Sequence, residues 1–477
     1  MNSLFLLAMM KMTKKKKRSS RPLSPSVLAM KKKKNRYFVK SSQQPQQQES
    51  LESEFYLPDD CWEHVFSFLI NPVDETEDKN KLYFNSLSLV SKRFLSIANR
   101  IIFSLTLFYP RLCYLPCFFH RFSNLNSLDL YFCDHDLSPE LNADIAFALR
   151  DKTTLKSLFI FEIELKDASY VSSHYIDSFV SLKGLNSLRF SDSQISDDLL
   201  YSIAREGLPL KTFVLEHCID YSYPGIYGLL SKCHRIQHLG LQGVHFLNNH
   251  HISELSLLLP GMISINLSEC SKLTESSLFA LIMNCHSLEE IKIEFLYIKS
   301  EIVENAHAFR DFDVNPRLKF LHFAGNSFIN DEIIILLASI FPNLQLLDLS
   351  YCCNISEKSI CQVLSRCCKV RHLHLTNCVE VRRIKINFVA LQLEVLNLSG
   401  TSVNDETLYE ISKSCCGLLQ LLLISCKYVT EKGVMRVVQK CRQLKKIYLK
   451  CCDKVNVDAV ISIISSNPSL EIDNCSS

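Results

Sequence analysis

Leu344-Gln345-Leu346-Leu347-Asp348-Leu349-Ser350-Tyr351-Cys352 is answered, 26 residues on, by Val370-Arg371-His372-Leu373-His374-Leu375-Thr376-Asn377-Cys378. In each copy two apolar residues flank a polar one, as in Leu347-Asp348-Leu349. A period of two is the mark of a strand with one buried face. Between the copies lies Ile355-Ser356-Glu357-Lys358-Ser359-Ile360. An apolar residue, a capping residue and a second apolar residue four places after the cap form the hydrophobic staple of a helix N-terminus. Glu357 follows the cap, where negative charge meets the positive end of the helix dipole. The unit therefore reads as a strand followed by a helix.

The same pattern extends in both directions. It starts at Leu125, Leu155, Leu185, Leu210, Ile236, Met262, Leu288, Leu318, Leu344, Val370, Leu393, Leu418 and Leu444, and Leu470-Glu471-Ile472 begins a truncated fourteenth unit. The spacing is 25, 26 or 30 residues except after Val370, where it is 23. The staple recurs at Ile195-Ser196, Leu273-Thr274, Ile329-Asn330, Val403-Asn404, Val429-Thr430 and Val455-Asn456, with Leu200, Leu278, Ile334, Leu408, Val434 and Val460 as its second half. A pattern L-x-x-L-x-L-x-x-C/N at such a period is the signature of leucine-rich repeats. The expected fold is α/β: a solenoid in horseshoe form, with parallel strands on the concave wall and helices, completing each unit, on the convex wall. Units two and three are less regular, with Phe159-Ile160 and Arg189-Phe190 in place of the leucine step. Ser104 to Leu107 reads as a rudimentary first strand within a linker and cap over 104–124, ahead of repeats over 125–477.

Twelve of the 21 cysteines fall at two repeat positions. Cys133, Cys218, Cys270, Cys352, Cys378, Cys426 and Cys452 end the strand pattern; Cys233, Cys285, Cys367, Cys415 and Cys441 lie near helix ends. No C-x2-C pair of the kind that builds a zinc site occurs. The cysteines read as buried core thiols. The apolar stretch Leu4 to Met10 precedes the basic cluster, the reverse of a secretory signal, so a reducing compartment is expected.

The chain ahead of the repeats has two parts. Residues 1–50 are basic and Gln-rich; 1–48 hold 13 Lys/Arg and no acid, leaving 40 basic against 50 acidic residues in the rest. Such a tail cannot bury enough apolar surface to order itself. Its two basic clusters fit a nuclear localisation signal or a solvated charged tail, and an acid-free basic start also suits an organelle transit peptide. A body this acidic is a poor general binder of nucleic acid. No apolar run is long enough for a membrane span. Residues 55–103 form a small helical module. Leu57-Pro58 opens a helix with Trp62, Val65, Phe66 and Leu69 on one stripe; Asn71 to Lys81 is an acidic loop; Leu82 to Arg100 is helical again, with Leu87, Val90, Phe94 and Ile97 on one face, so two or three short helices result. A module this small needs a partner.

Leu57-Pro58, then Val65-Phe66 and Leu69, then Leu87-Ser88-Leu89-Val90-Ser91-Lys92-Arg93-Phe94-Leu95 resembles the F-box. Followed by cysteine-containing repeats, the chain looks like a plant-type F-box/LRR-repeat protein over roughly residues 55 to 477. The loop over 71–81 is longer and more acidic than in that family, and the early acidic residue of its first helix is displaced to Asp59 and Asp60. The resemblance implies a substrate-recognition subunit of an SCF-type ubiquitin ligase in the nucleus or cytoplasm. Its F-box would dock a Skp-type adaptor, and through it a cullin, by Leu57, Pro58, Trp62, Val65, Phe66, Leu69, Leu87, Leu89, Val90 and Phe94. Its repeats would hold a protein for ubiquitination and proteasomal degradation, with no chemistry in this chain.

The residues between the two strand leucines are chemically mixed, as suits protein recognition. Asn266, Lys292, His322, Asp348 and His374, in near-regular units, are the candidate substrate contacts. Glu289, Glu290 and Glu294 form an acidic cluster near the middle, and Lys445, Lys446 and Lys450 lie near the end. No G-x-S-x-G, H-E-x-x-H or phosphate-loop motif occurs, and no cofactor or metal is expected. Two other functions share this architecture: a small-molecule or hormone co-receptor, which needs several cations on one floor, and an interaction scaffold acting without ubiquitin.

Overall fold

The computed structural model describes residues 57–70, 86–109, 111–132, 139–150, 152–162, 171–296, 312–386, 390, 392–456 and 470–473. The basic tail, the loop over 71–81, Cys133 and the helix expected after Asn456 lie outside these residues. The chain divides into two compact units, one of residues 1–107 with 117–125 and the other of 108–116 with 126–477.

In the first unit, helix Asp59–Ile70 begins beside Pro58 and carries Asp59 and Asp60 in its first turn. The helical run over 82–100 is divided within its described part. Helical turns over 86–90 stop at Ser91, whose extended backbone and side chain cap the separate helix Lys92–Arg100 by accepting from Phe94 N–H. Serine competes for backbone donors and so favours caps over helix interiors. The break separates Val90, which is exposed, from Phe94 and the fully buried Ile97. Ion pairs tie the helices together: Arg93 to Asp59 at 2.8 Å, and Arg100 to Asp59 at 2.9 Å and to Glu63 at 2.7 Å. Trp62, Phe66 and Phe94 close an aromatic core with ring centroids 4.8–5.8 Å apart.

In the second unit, parallel strands follow one another in chain order: β2 Ser127–Phe132, β3 Ser157–Glu162, β4 Ser187–Ser191, β5 Thr212–Glu216, β6 His238–Gln242, β7 Ser264–Asn266, β8 Glu290–Lys292, β9 Phe320–His322, β10 Leu346–Asp348, β11 His372–His374, β12 Val395–Asn397, β13 Gln420–Leu422, β14 Lys446–Tyr448 and β15 Glu471–Asp473. Strand β1, Ser104–Phe108, precedes them. The fold is an α/β leucine-rich-repeat solenoid. From β7 to β14 the strands have three residues, the middle one buried and its neighbours half-buried. Leu347 pairs with Leu321 on one side and Leu373 on the other, so one strip of apolar side chains runs through the stack.

Ser196, Thr274, Asn330, Ser356, Asn404 and Thr430 all cap helices with their side chains, and both halves of each staple are buried. Asn248 is a further cap. The unit starting at Val370 departs from the expected helix. None of its described residues from Leu375 to Ile386 is helical; Val381, Ile384 and Ile386 fill the core from irregular backbone. At 23 residues it is the shortest unit, too short for the turns of helix its neighbours carry. Hydrogen bonds hold this segment to helix Asp405–Ser414, through Thr407 to Arg382 O and Ile384 N–H, and Ser414 to Ile386 O.

The recurring cysteines have a backbone function. Cys270, Cys352, Cys378, Cys426 and Cys452 donate at 2.9–3.2 Å to the carbonyls of Leu241, Phe323, Leu349, Leu398 and Leu423 in the preceding unit. Cys285, Cys367 and Cys441 do the same at the helix ends, toward Ser256, Ala338 and Cys415. Thiols are small enough for the packed interior and still offer a donor.

Candidate functional site

The helical module exposes several large apolar side chains. Leu57, Val65 and Leu69 are 40–42% exposed, Val90 65%, Phe68 80% and Leu89 86%. Of the other expected adaptor contacts, Pro58 is exposed and Leu87 half-buried. Phe66 is fully buried, with half-buried Trp62 and Phe94 packed on it. These three rings hold the module together from within, so Phe66, expected as an adaptor contact, is instead spent on the module's own core. Phe68 was missed because it falls off the stripe of Trp62 and Phe66; its exposure emerges only once Phe66 takes the inward place.

In the repeats, register brings the five expected substrate contacts onto adjacent rungs. Asn266 pairs with Lys292, Lys292 with His322, His322 with Asp348, and Asp348 with His374. All five are half-buried on the sheet face opposite the leucines. Asn266 Nδ2 donates to Gln242 Oε1 at 3.1 Å, and its own Oδ1 accepts from Ser268 N–H at 3.0 Å. Asp348 Oδ1 accepts from Ser350 N–H at 2.9 Å. Lys292 Nζ lies 3.1 Å from Glu294 Oε2, and His322 Nε2 lies 3.5 Å from Glu290 Oε1. The bond with His322 holds the Glu290 carboxyl below its ordinary range. Burial pulls His374 downward, against the attraction of Asp348. The acidic cluster divides: Glu290 and Glu294 face these rungs, while Glu289 pairs with Lys319 at 2.7 Å.

An aromatic cluster lies on β2 to β4. Tyr131 stacks on Phe108 at 4.6 Å and meets Phe159 and Phe161 at 5.5 and 5.4 Å, and Arg189 lies over Phe159 at 5.2 Å. Arg189 also faces Glu216 at 3.9 Å, and Lys446 pairs with Glu471 at 2.8 Å. Arg189, Lys292 and Lys446 are thus each matched to a carboxylate in place.

The turn after each strand carries a feature the sequence did not disclose. Asp192, His217, Glu269, Phe295, Tyr351, Asn377, Ser425 and Cys451 have positive φ, as do Gly243, Gly325 and Gly400. All lie at the eighth position of their units. Repetition makes this a property of the coil, although bulky residues pay more for the left-handed region than glycine does. It sets Phe295 and half-exposed Tyr351 beside Glu294 and Ser350 at the edge of the open face.

No protein-family model matches the chain. It is similar to Antagonist of mitotic exit network protein 1 of Eremothecium gossypii, with 29% identity over 131 residues, 26% of this chain and 33% of that protein. The protein of the same name from Candida glabrata is 27% identical over 127 residues, 25% of either chain. The chain therefore spans a third of one curated relative and a quarter of the other. A chain of the crystal structure of the yeast Rad7 and Elc1 complex aligns with 70% of this chain and 88% of its own length at 16% identity and a TM-score of 0.39. An internalin, InlF of Listeria monocytogenes, aligns with 86% of this chain and 98% of its own at 14% identity and a TM-score of 0.40. The fold assignment rests on the repeat register itself.

Proposed function

We propose that the chain is the substrate-recognition subunit of an SCF-type ubiquitin ligase of the F-box/LRR kind. The helical module would dock a Skp-type adaptor and, through it, a cullin. The open face of the repeats would hold a target protein for ubiquitination and proteasomal degradation. The supporting observation is the exposure of Leu57, Val65, Phe68, Leu69, Leu89 and Val90 on a module whose aromatic core is already closed without them. Exposed apolar surface of this kind marks an interaction site. The mixed row from Asn266 to His374 suits recognition of a polar protein surface, with rungs fixed by the sheet, so little entropy is lost on binding. The chain would contribute position, by raising the effective concentration of a target lysine, and no bond-making group of its own. The fungal relatives are named as antagonists of a mitotic exit network, and a cell-cycle regulator is the target class we would test first. The basic tail would act as a nuclear address.

Co-purification from cells tests each part. Leu57→Ala with Leu89→Asp is expected to abolish recovery of the adaptor while the repeats stay folded. Undiminished recovery would overturn the ligase reading; target capture without any adaptor would favour a scaffold. Lys292→Glu with Asp348→Lys is expected to weaken target capture and spare the adaptor. Deleting residues 1–48 is expected to lower nuclear accumulation and leave both contacts intact.

A further inference from the structure

We propose that the open face of the repeats binds a divalent transition metal of the zinc class through Glu294, His322 and Asp348. One ligand atom from each of these residues lies within 4.8 Å of the others. The spacing follows from the fold. His322 and Asp348 occupy paired positions on β9 and β10, and adjacent parallel strands stand about 4.8 Å apart. Glu294 lies two residues beyond Lys292, which pairs with His322, and the period of two returns its side chain to the same face. Its side chain is only 13% exposed and its backbone N–H is held by Ser268 Oγ at 3.1 Å.

The donor set selects the ion. One imidazole with two carboxylates suits a borderline ion such as Zn²⁺; all-oxygen sets suit magnesium or calcium, and thiolate sets suit softer ions. Bond lengths of about 2.0–2.2 Å to nitrogen and oxygen require the three side chains to draw in slightly from their present separation. Glu290, 3.5 Å from His322 Nε2, is placed to orient the imidazole, as a carboxylate behind a metal-bound histidine does. Lys292, 3.1 Å from Glu294, is the competitor and must turn aside when the ion enters. His374 is on the next rung after Asp348, and three protein ligands leave one position of the ion open. Such an open position would take water or a donor group from a bound partner. The site is independent of the ligase reading, because metal binding is measured on this chain alone.

The test uses Co²⁺ as an optical probe on the chelator-treated full chain, followed by displacement with Zn²⁺. Wild type is expected to take up one equivalent with visible bands of a nitrogen–oxygen site and no thiolate charge-transfer band. His322→Ala, Asp348→Asn and Glu294→Gln should each weaken binding by at least about tenfold; Lys292→Met should tighten it. The Asn and Gln variants keep side-chain size, so the test survives if His322→Ala fails to fold. Three results would overturn the proposal: no saturable spectrum, a thiolate band showing that exposed cysteines hold the ion, or equal affinity in all variants.

Discussion

Asp405 and Thr430, the first residue of one helix and the cap of the next, are joined twice. Asp405 Oδ1 accepts Thr430 N–H at 2.8 Å, and its Oδ2 accepts the Thr430 hydroxyl at 2.6 Å. Asp331 binds Ser356, and Asp197 binds Ser222, in the same way. The caps of successive units are thereby linked sideways. The link also explains Gly433, since a Cβ there would run into the Asp405 carboxylate.

Asp405→Ala strands the Thr430 N–H and should cost about 1–3 kcal/mol in denaturant unfolding. Gly433→Ala would ordinarily gain about 1 kcal/mol of helix propensity but should destabilise here. In the Asp405→Ala background the penalty should shrink to what the Leu408 side chain, 2.9 Å from such a Cβ, still imposes. A double-mutant cycle with no coupling between the two sites would disprove the link.

Gly325 combines positive φ with crowding, because a Cβ would meet the Phe295 ring. Gly325→Ala should lower stability by more than the ~1–2 kcal/mol that a left-handed backbone alone costs. Phe295→Ala should recover only the steric part of the loss. Thermal melts of the single and double variants separate the two contributions.

Trp62 is the sole tryptophan and packs on Phe66 and Phe94, so its fluorescence reports the helical module selectively. Hydrogen bonds from Arg100 and Arg93 lower the pKa of Asp59 from its ordinary 3.8. A depressed acid stabilises the fold above its unfolded pKa, and the contribution disappears as pH falls through the folded pKa. The fluorescence midpoint in urea should therefore hold steady above pH 5 and fall below about pH 4. Asp59→Asn should remove that part of the pH dependence; an unchanged profile would exclude the ion pair as its source.

Burial pushes the thiols of Cys352 and Cys426 up to about 12. Cys353, next to Cys352, is exposed. Alkylation at pH 8 should modify Cys353, Cys368, Cys416 and Cys451 within minutes and leave Cys352 and Cys426 unmodified until denaturant is added. Equal labelling of Cys352 and Cys353, resolved by peptide mass spectrometry, would contradict the packing.

The period of the leucines was sufficient to place strands β2 to β15. The fourth residue of each of the thirteen units, from Leu128 to Ile447, is at most 4% exposed, because a two-residue alternation admits one burial phase only. The staples likewise disclosed six helix starts, since a cap and its apolar pair are local signals. The local pattern could not show that Ser91 stops a helix, that Phe66 turns inward while Phe68 turns out, or that a 23-residue unit surrenders its helix. Each depends on what a neighbour leaves available. The row from Asn266 to His374 was legible as a list of positions. That Glu294 joins His322 and Asp348 within reach of one ion was decided by register across a 30-residue unit and by side-chain reach, which only the packed sheet defines.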